Sequence, residues 1–382
     1  MSEGDKSVNG GALAGLLVVS IEQAVAAPLC TVRLADAGAR VIKIERPDGE
    51  TARHYDSNVE GMSAYFVWLN RGKESVALDL KVKDDLALLH RIVEKADVLV
   101  QNLAPGAIDR LGLSRAALAK KFPRLISIHI VGYGQDTPYA DMRAYDMLVQ
   151  AESGICAVTG SAEAPSKIGV SAADIATGMN AHTAVLEALL ERERTGRGQA
   201  IEVAMFDGMA DWMAVPLLHL EHANRETGRY GLAHASIHPY RPYVCRDDRS
   251  VIVAIQQSSE WRRFCVEVLQ RNDLFADERF TTNAWRVANR NALDAEIEAI
   301  FASLDREEAI GRLNAAQIAW ARYTEVRDLK RHPALRCVSV RLPNGSEIRI
   351  PRPAGRQKLA GYKPLVPEMG ADTDRIRREF AS

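Results

Sequence analysis

One carboxylate stands alone in the run 168–180 of "KIGVSAADIATGMNAHTAVLEALLERERTGRGQ", and it is Asp174. Ser, Ala, Thr and Gly surround it, so little side-chain bulk keeps a ligand away. Two readings follow. An Asp just ahead of a helix caps it by accepting from the free N–H groups of the first turn. A carboxylate among small residues can also act as a nucleophile toward an activated carbonyl, which is covalent catalysis.

Cations form the second set. Arg46 follows "RVIKIE", Arg71 and Lys73 stand in "LNRGKES", Lys81 follows "VALDL", and Arg110 sits in "NLAPGAIDRLG". Each is at or just after an expected strand end, and together they would clamp a polyphosphate ligand such as coenzyme A. His234 and His238 in "AHASIHPY" are four apart, but Pro239 argues against a helix there, and hydrogen bonding within the fold is the plainer role. "GYG" at 132–134 either offers backbone N–H groups to a ligand or forms a turn.

Other chemistries are poorly served. The turn after the first strand, "EQAVAAPLC", has no glycine, whereas a dinucleotide site needs GxGxxG there. No GxSxG elbow and no HExxH helix occur. The five cysteines are scattered without CxxC spacing, which predicts reduced thiols in a cytoplasmic protein and no metal site. Net charge is −1 over 382 residues, so nothing in the balance attracts nucleic acid, and no apolar run has the length of a membrane span.

The elements that position these groups alternate. "LLVVSI" (16–21), "RVIKIE" (40–45), "SVALDL" (75–80), "DVLVQN" (97–102) and "LISIHI" (125–130) read as strands, and "KDDLALLHRIVEKA" (83–96) reads as a helix burying Leu86, Leu89, Ile92 and Val93. Apolar strands separated by helices give a doubly wound α/β domain with a parallel sheet, and ligands bind beyond the carboxyl ends of its strands. A long helix over 206–224, restarted near Pro216, leads to a smaller α+β region with a hairpin over 243–255 and helices through about 326. "SVRLPNGSEIRIPRPAG" (339–355) reads as a hairpin turning at Asn344-Gly345.

In this order, "AAPLCTVRLADAGARVIKIERPDGETAR", "LNRGKESVALDLK", "DVLVQNLAPGAIDRLGL", "YDMLVQAESGICAVTG", "GVSAADIATGMNAHTAVLEALLERERTGRGQAIEVAMFDG", "HASIHPY" and "PEMGADTDRI" resemble the class III coenzyme A-transferase family, CaiB/BaiF type, from about residue 13 to 380. The resemblance implies a Rossmann-like large domain, a smaller α+β domain and an interlinked homodimer. The expected division is a disordered leader (1–12), a large CoA-binding domain (13–200), a linker helix (201–227), a small domain (228–330), and a linker with a C-terminal return to the large domain (331–382). Asp174 matches the family's catalytic aspartate, in place of the capping role. Coenzyme A contacts map onto Ala24, Val25, Arg46, Leu78, Lys81, Asn102, Leu103 and Arg110, with Tyr133 and Met205 along the pantetheine channel.

The implied activity is EC 2.8.3 CoA transfer from an acyl-CoA thioester to a free carboxylic acid, by way of an aspartyl anhydride and an aspartyl-CoA thioester. Acyl-CoA and carboxylate are substrates; no cofactor is tightly bound, and neither nucleic acid nor membrane is a partner. Formyl-CoA transferases carry glutamine where this chain has Val25 and a glycine-rich loop that "AIQQSSEW" does not reproduce, which counts against formyl and oxalyl specificity. Arg229, His234, His238 and Arg241 would suit the second carboxylate of a dicarboxylate such as succinate, itaconate, mesaconate or citramalate. The alternative is a 2-methylacyl-CoA racemase. Racemases carry "GHD" where this chain reads "RAYDML", so Tyr145 holds the histidine place, and a phenol is a poor base at neutral pH.

Overall fold

The computed structural model describes residues 11–356 and 364–381; the expected leader, 1–12, lies outside them but for its last two residues. Six strands pair in parallel: β1 (Leu17–Ile21), β2 (Arg40–Glu45), β3 (Glu74–Ala77), β4 (Val98–Gln101), β5 (Ile126–Val131) and β6 (Ala200–Ala204). Their order is β3-β2-β1-β4-β5-β6. β-branched residues fill the central strands because both faces are covered. On one face Leu88, Leu89, Ile92 and Val93 of one crossover helix pack on Val19, Ile42 and Leu99. On the other, Cys30, Leu34, Val185 and Ala188 cover Val41, Val100 and Ile128.

The helices that matter here are α1 (Ala26–Ala35), α2 (Lys83–Lys95), α3 (Asp146–Glu152), α4 (Ala172–Thr195), α5 (Met205–Trp212) and α6 (Ala214–Ala223). Strand order reverses between β1 and β4, so a crevice opens beyond their carboxyl ends. Two side-chain bonds tie its walls together: Asn102 Oδ1 accepts from the Gln23 N–H, and Asn102 Nδ2 donates to the Gln23 carbonyl, both at 2.9 Å.

Two compact units divide the chain. The first holds the residues up to Ile155, Lys167–Leu217, and those from Arg336 onward; the second holds Cys156–Ser166 and Leu218–Leu335. The expected linker helix over 201–227 is corrected: Ala200–Ala204 is the sixth strand, and two helices follow, broken at Met213. That strand is short and at the sheet's edge, with mostly half-buried side chains, so its apolar signal is weak.

In the second unit β7 (Tyr240–Val244), β8 (Ser250–Ala254) and β9 (Ala319–Arg322) form an antiparallel sheet, β9 lying where only helices are expected from sequence. Trp261, Phe264, Phe280 and Phe301 anchor its core. In the first unit β10 (Cys337–Arg341) and β11 (Glu347–Pro351) pair as a hairpin with Gly345 at φ +87°, and Val338, Val340 and Ile350 pack on Phe66 and Val67. Among the described residues no helix is long and apolar enough to cross a membrane.

Candidate active site

Asp174 does not cap its helix. Ser171 holds the cap position and makes no side-chain cap bond, while Asp174 lies in the first turn of α4. The cap comes from 28 residues earlier in the chain: Asp146 Oδ1 accepts from the N–H groups of Ala173 at 2.8 Å and Asp174 at 3.3 Å. Gln150 fixes that carboxylate by donating to Asp146 Oδ2 at 2.7 Å, and its own Oε1 accepts from the Ile168 N–H at 2.8 Å. With the helix N–H groups served by Asp146, the Asp174 side chain is left for other work.

That side chain is half-buried, and burial together with the neighbouring Asp146 charge raises its carboxyl to about 7. One hydrogen bond pulls the other way, from the Ala26 N–H at the start of α1. Gly178 makes this contact possible. A Cβ there would stand 2.5 Å from the Ala26 carbonyl, so only glycine lets α4 approach α1 this closely.

The loop between β1 and α1 is held from beneath by buried charge. Ala24 is left-handed, at φ +62°, a conformation costing a residue with a Cβ roughly 1–2 kcal/mol. Its N–H donates to Glu50 Oε2 at 2.9 Å. Glu50 in turn meets the fully buried Lys43, which meets Glu22, both at 3.3 Å, and Lys73 joins Glu22 at 2.7 Å. Burial alone would raise Glu22, but Lys73, Lys43 and the Thr31 hydroxyl outweigh it and bring it to about 2.

A cavity of about 720 Å³ lies over Asp174. The β1–α1 loop, the residues after β4, the end of β5, the segment 142–147 and Met205 line it. Gly132 admits that segment, since a Cβ there would fall 2.2 Å from the Ala144 Cβ. Ala24, Val25, Asn102, Leu103, Tyr145 and Met205 all line this space with Asp174.

Other expected residues lie elsewhere. Leu78 is core, at 1% exposure. Tyr133 is buried against the rings of Tyr139 and Phe206 and does not line the cavity. Arg71 is buried on Asp36 and Lys73 on Glu22, so neither is free for a phosphate. Arg46, Lys81 and Arg110 are exposed beyond β2, β3 and β4, outside the lining, with Arg46 loosely beside Asp48 at 3.6 Å. His234 and His238 belong to the second unit. There His234 stacks on Tyr240, and His238 is buried facing Asp294 at 3.3 Å.

Sequence reasoning passed over Glu22, Glu50, Asp146 and Arg143. Asp146 was in view within "RAYDML", but its role depends on a contact that no local spacing reveals.

Comparison with known proteins shows the family. The description CoA-transferase family III matches residues 13–373. The chain is 32% identical to the acetyl-CoA:oxalate CoA-transferase of Acetobacter aceti over 390 aligned residues, covering 100% of this chain and 99% of that one. It is 36% identical to the succinate–glutarate CoA-transferase of Agrobacterium fabrum, covering 73% of this chain and 71% of the other. Among solved structures, a CaiB/BaiF family protein from Brucella suis superimposes with a TM-score of 0.80 at 31% identity, covering 97% of this chain and all of that one.

Proposed function

We propose that this chain, which belongs to CoA-transferase family III, passes coenzyme A from an acyl-CoA thioester to a free dicarboxylic acid with Asp174 as the covalent carrier. One observation carries the reading. Asp174 faces a cavity of about 720 Å³ with its carboxyl raised to about 7 and a backbone N–H directed at it. A carboxylate of that basicity is a stronger nucleophile than an ordinary aspartate, yet a good share of it is ionised at neutral pH.

Ionised Asp174 attacks the donor thioester carbonyl and expels coenzyme A as thiolate, leaving an aspartyl–acyl anhydride. The thiolate then attacks the aspartyl carbonyl, releasing the donor acid and leaving an aspartyl-CoA thioester. An incoming carboxylate attacks that thioester and expels the thiolate again. The thiolate takes the acyl group from the second anhydride, and Asp174 returns as a carboxylate. The Ala26 N–H already reaches a carboxylate oxygen and would serve the oxyanion that forms on the aspartyl carbonyl.

Arg46, Lys81 and Arg110 hold the coenzyme A phosphates in this reading, since all three are exposed beyond the carboxyl ends of successive strands. The first unit is thus the CoA-binding domain. Oxalate, succinate and glutarate, in the names of the relatives, support a dicarboxylate acceptor, and oxalate stays among the candidates despite Val25. An interlinked homodimer belongs to the proposal. In its support, α6 is largely apolar yet buries no residue, with Val215, Leu217, Leu218 and Leu220 all exposed. A cytoplasmic setting is proposed on the five free thiols.

Proton exchange at carbon 2 would need a second base facing Asp174. Tyr145 holds that place at 67% exposure, and Asp146 is engaged by two N–H groups and Gln150, which favours the transferase. The test is a screen of the purified chain with succinyl-CoA and acetyl-CoA against a panel of carboxylates. New acyl-CoA formed with dicarboxylates is the expected result. Rapid deuterium uptake at carbon 2 of a 2-methylacyl-CoA, with no acceptor present, would contradict it.

A further inference from the structure

The cations expected to receive an acceptor's second carboxylate are committed to other partners. Arg229 donates to the carbonyls of Ser161 and Ala162, at 2.9 and 3.1 Å. Arg241 pairs with Asp294 at 2.7 Å and Glu298 at 3.1 Å. His238 is fully buried. Arg143, by contrast, is the single cation among the described residues that line the Asp174 cavity. It makes no ion pair and no hydrogen bond with any described residue.

Its backbone is fixed on both sides: before it, the Met142 N–H donates to the Tyr139 carbonyl at 2.8 Å. Ala144, the next residue, seats on Gly132, and Asp146 is locked onto the first turn of α4. Among the described residues the other charged groups lining the cavity are acids, Asp146 and Asp174. A monocarboxylate loses its charge when its one carboxylate is acylated. A dicarboxylate keeps a second charge through every step, and Asp146, joined by Asp174 whenever that carboxyl is free and ionised, would repel it unless a cation answered. Met142, Met147 and Met205 supply apolar wall for the chain between its two ends.

We propose that Arg143 is the specificity-determining residue of this site, holding the distal carboxylate of a dicarboxylic acyl group while Asp174 works on the proximal one. The inference rests on the transferase reading above. A guanidinium on an unreacting carboxylate makes the same contact in ground and transition states, so it acts on KM and leaves kcat nearly alone.

The experiment measures KM for succinate, glutarate and succinyl-CoA, and the Kd of free coenzyme A, in the unmodified chain, Arg143→Met and Arg143→Lys. Arg143→Met should raise all three KM values roughly ten- to hundredfold, the range for lost charge-assisted bonds, with kcat within a few-fold and the coenzyme A Kd unchanged. Arg143→Lys should recover part of the loss, because it restores the charge without the fork. Unchanged KM values would overturn the inference. So would an equal weakening of free coenzyme A, which would assign Arg143 to the phosphates, or turnover of monocarboxylates alone by the unmodified chain. The transferase reading is tested separately: hydroxylamine trapping of Asp174 by acyl-CoA alone involves no acceptor.

Discussion

Glu22 and Asp174 belong to one unit, near the carboxyl edge of one sheet, and burial pushes both toward the protonated form. Glu22 has two lysines and a hydroxyl around it and falls to about 2. Asp174 has another carboxylate and a single backbone N–H and rises to about 7. Two carboxyl groups that burial pushes the same way are thus driven apart by the charge placed beside them. The first arrangement holds the strained loop at Ala24 through Lys43 and Glu50, and the second leaves a carboxyl raised to about 7 and facing the cavity.

Removing the reactive member should have the largest effect. Asp174→Ala is expected to lower CoA transfer by about a thousandfold or more while leaving coenzyme A binding intact. Turnover and calorimetric coenzyme A affinity, measured together, check this. A variant that keeps a few per cent of its activity would end the covalent role.

Removing a scaffold member should act on folding. Lys73→Met leaves the fully buried Glu22 short of one counter-charge, and breaking a buried pair costs about 3–5 kcal/mol. Urea unfolding should show the midpoint fall. Adding Glu22→Gln should restore part of it, because the stranded charge is then gone. A single variant as stable as the parent would erase the distinction between the two carboxylates.

The smallest effect is the pH response. With its carboxyl near 7, Asp174 binds more protons folded than unfolded, where its pKa is about 4. It therefore costs stability as pH rises from about 4 through about 7. Asp174→Asn should gain more Tm over the parent at pH 8 than at pH 5. In the parent, kcat/KM should rise through a midpoint near 7 as the nucleophile ionises. Asp146→Asn should move that midpoint down by removing the neighbouring charge. A midpoint near 4 in the parent would contradict the raised carboxyl.

Much of the parallel sheet was legible because its central strands are continuous β-branched runs; β2 falls on "RVIKIE" and α2 on "KDDLALLHRIVEK". β6 and β9 were missed because short, half-exposed edge strands carry little periodic signal. Of the site, Asp174 and the loop residues Ala24 and Val25 were legible through the family motif, as were Asn102 and Leu103. Arg71 and Lys73 misled, because an Arg or Lys at a strand end reads the same whether it meets a phosphate or a buried acid. Asp146 and Glu50 act across 27 and 26 residues on backbone N–H groups, a relation that exists only once the chain has folded.

The most direct measurement is to trap the enzyme-bound thioester. The chain is incubated with succinyl-CoA and then hydroxylamine, digested, and the Asp174 peptide weighed. Conversion of Asp174 to a hydroxamate, absent when acyl-CoA is omitted, is the predicted result. An unmodified Asp174 peptide from a preparation that is transferring coenzyme A would contradict the central claim, because the acyl and CoA groups would then be travelling by a path that never touches this carboxylate.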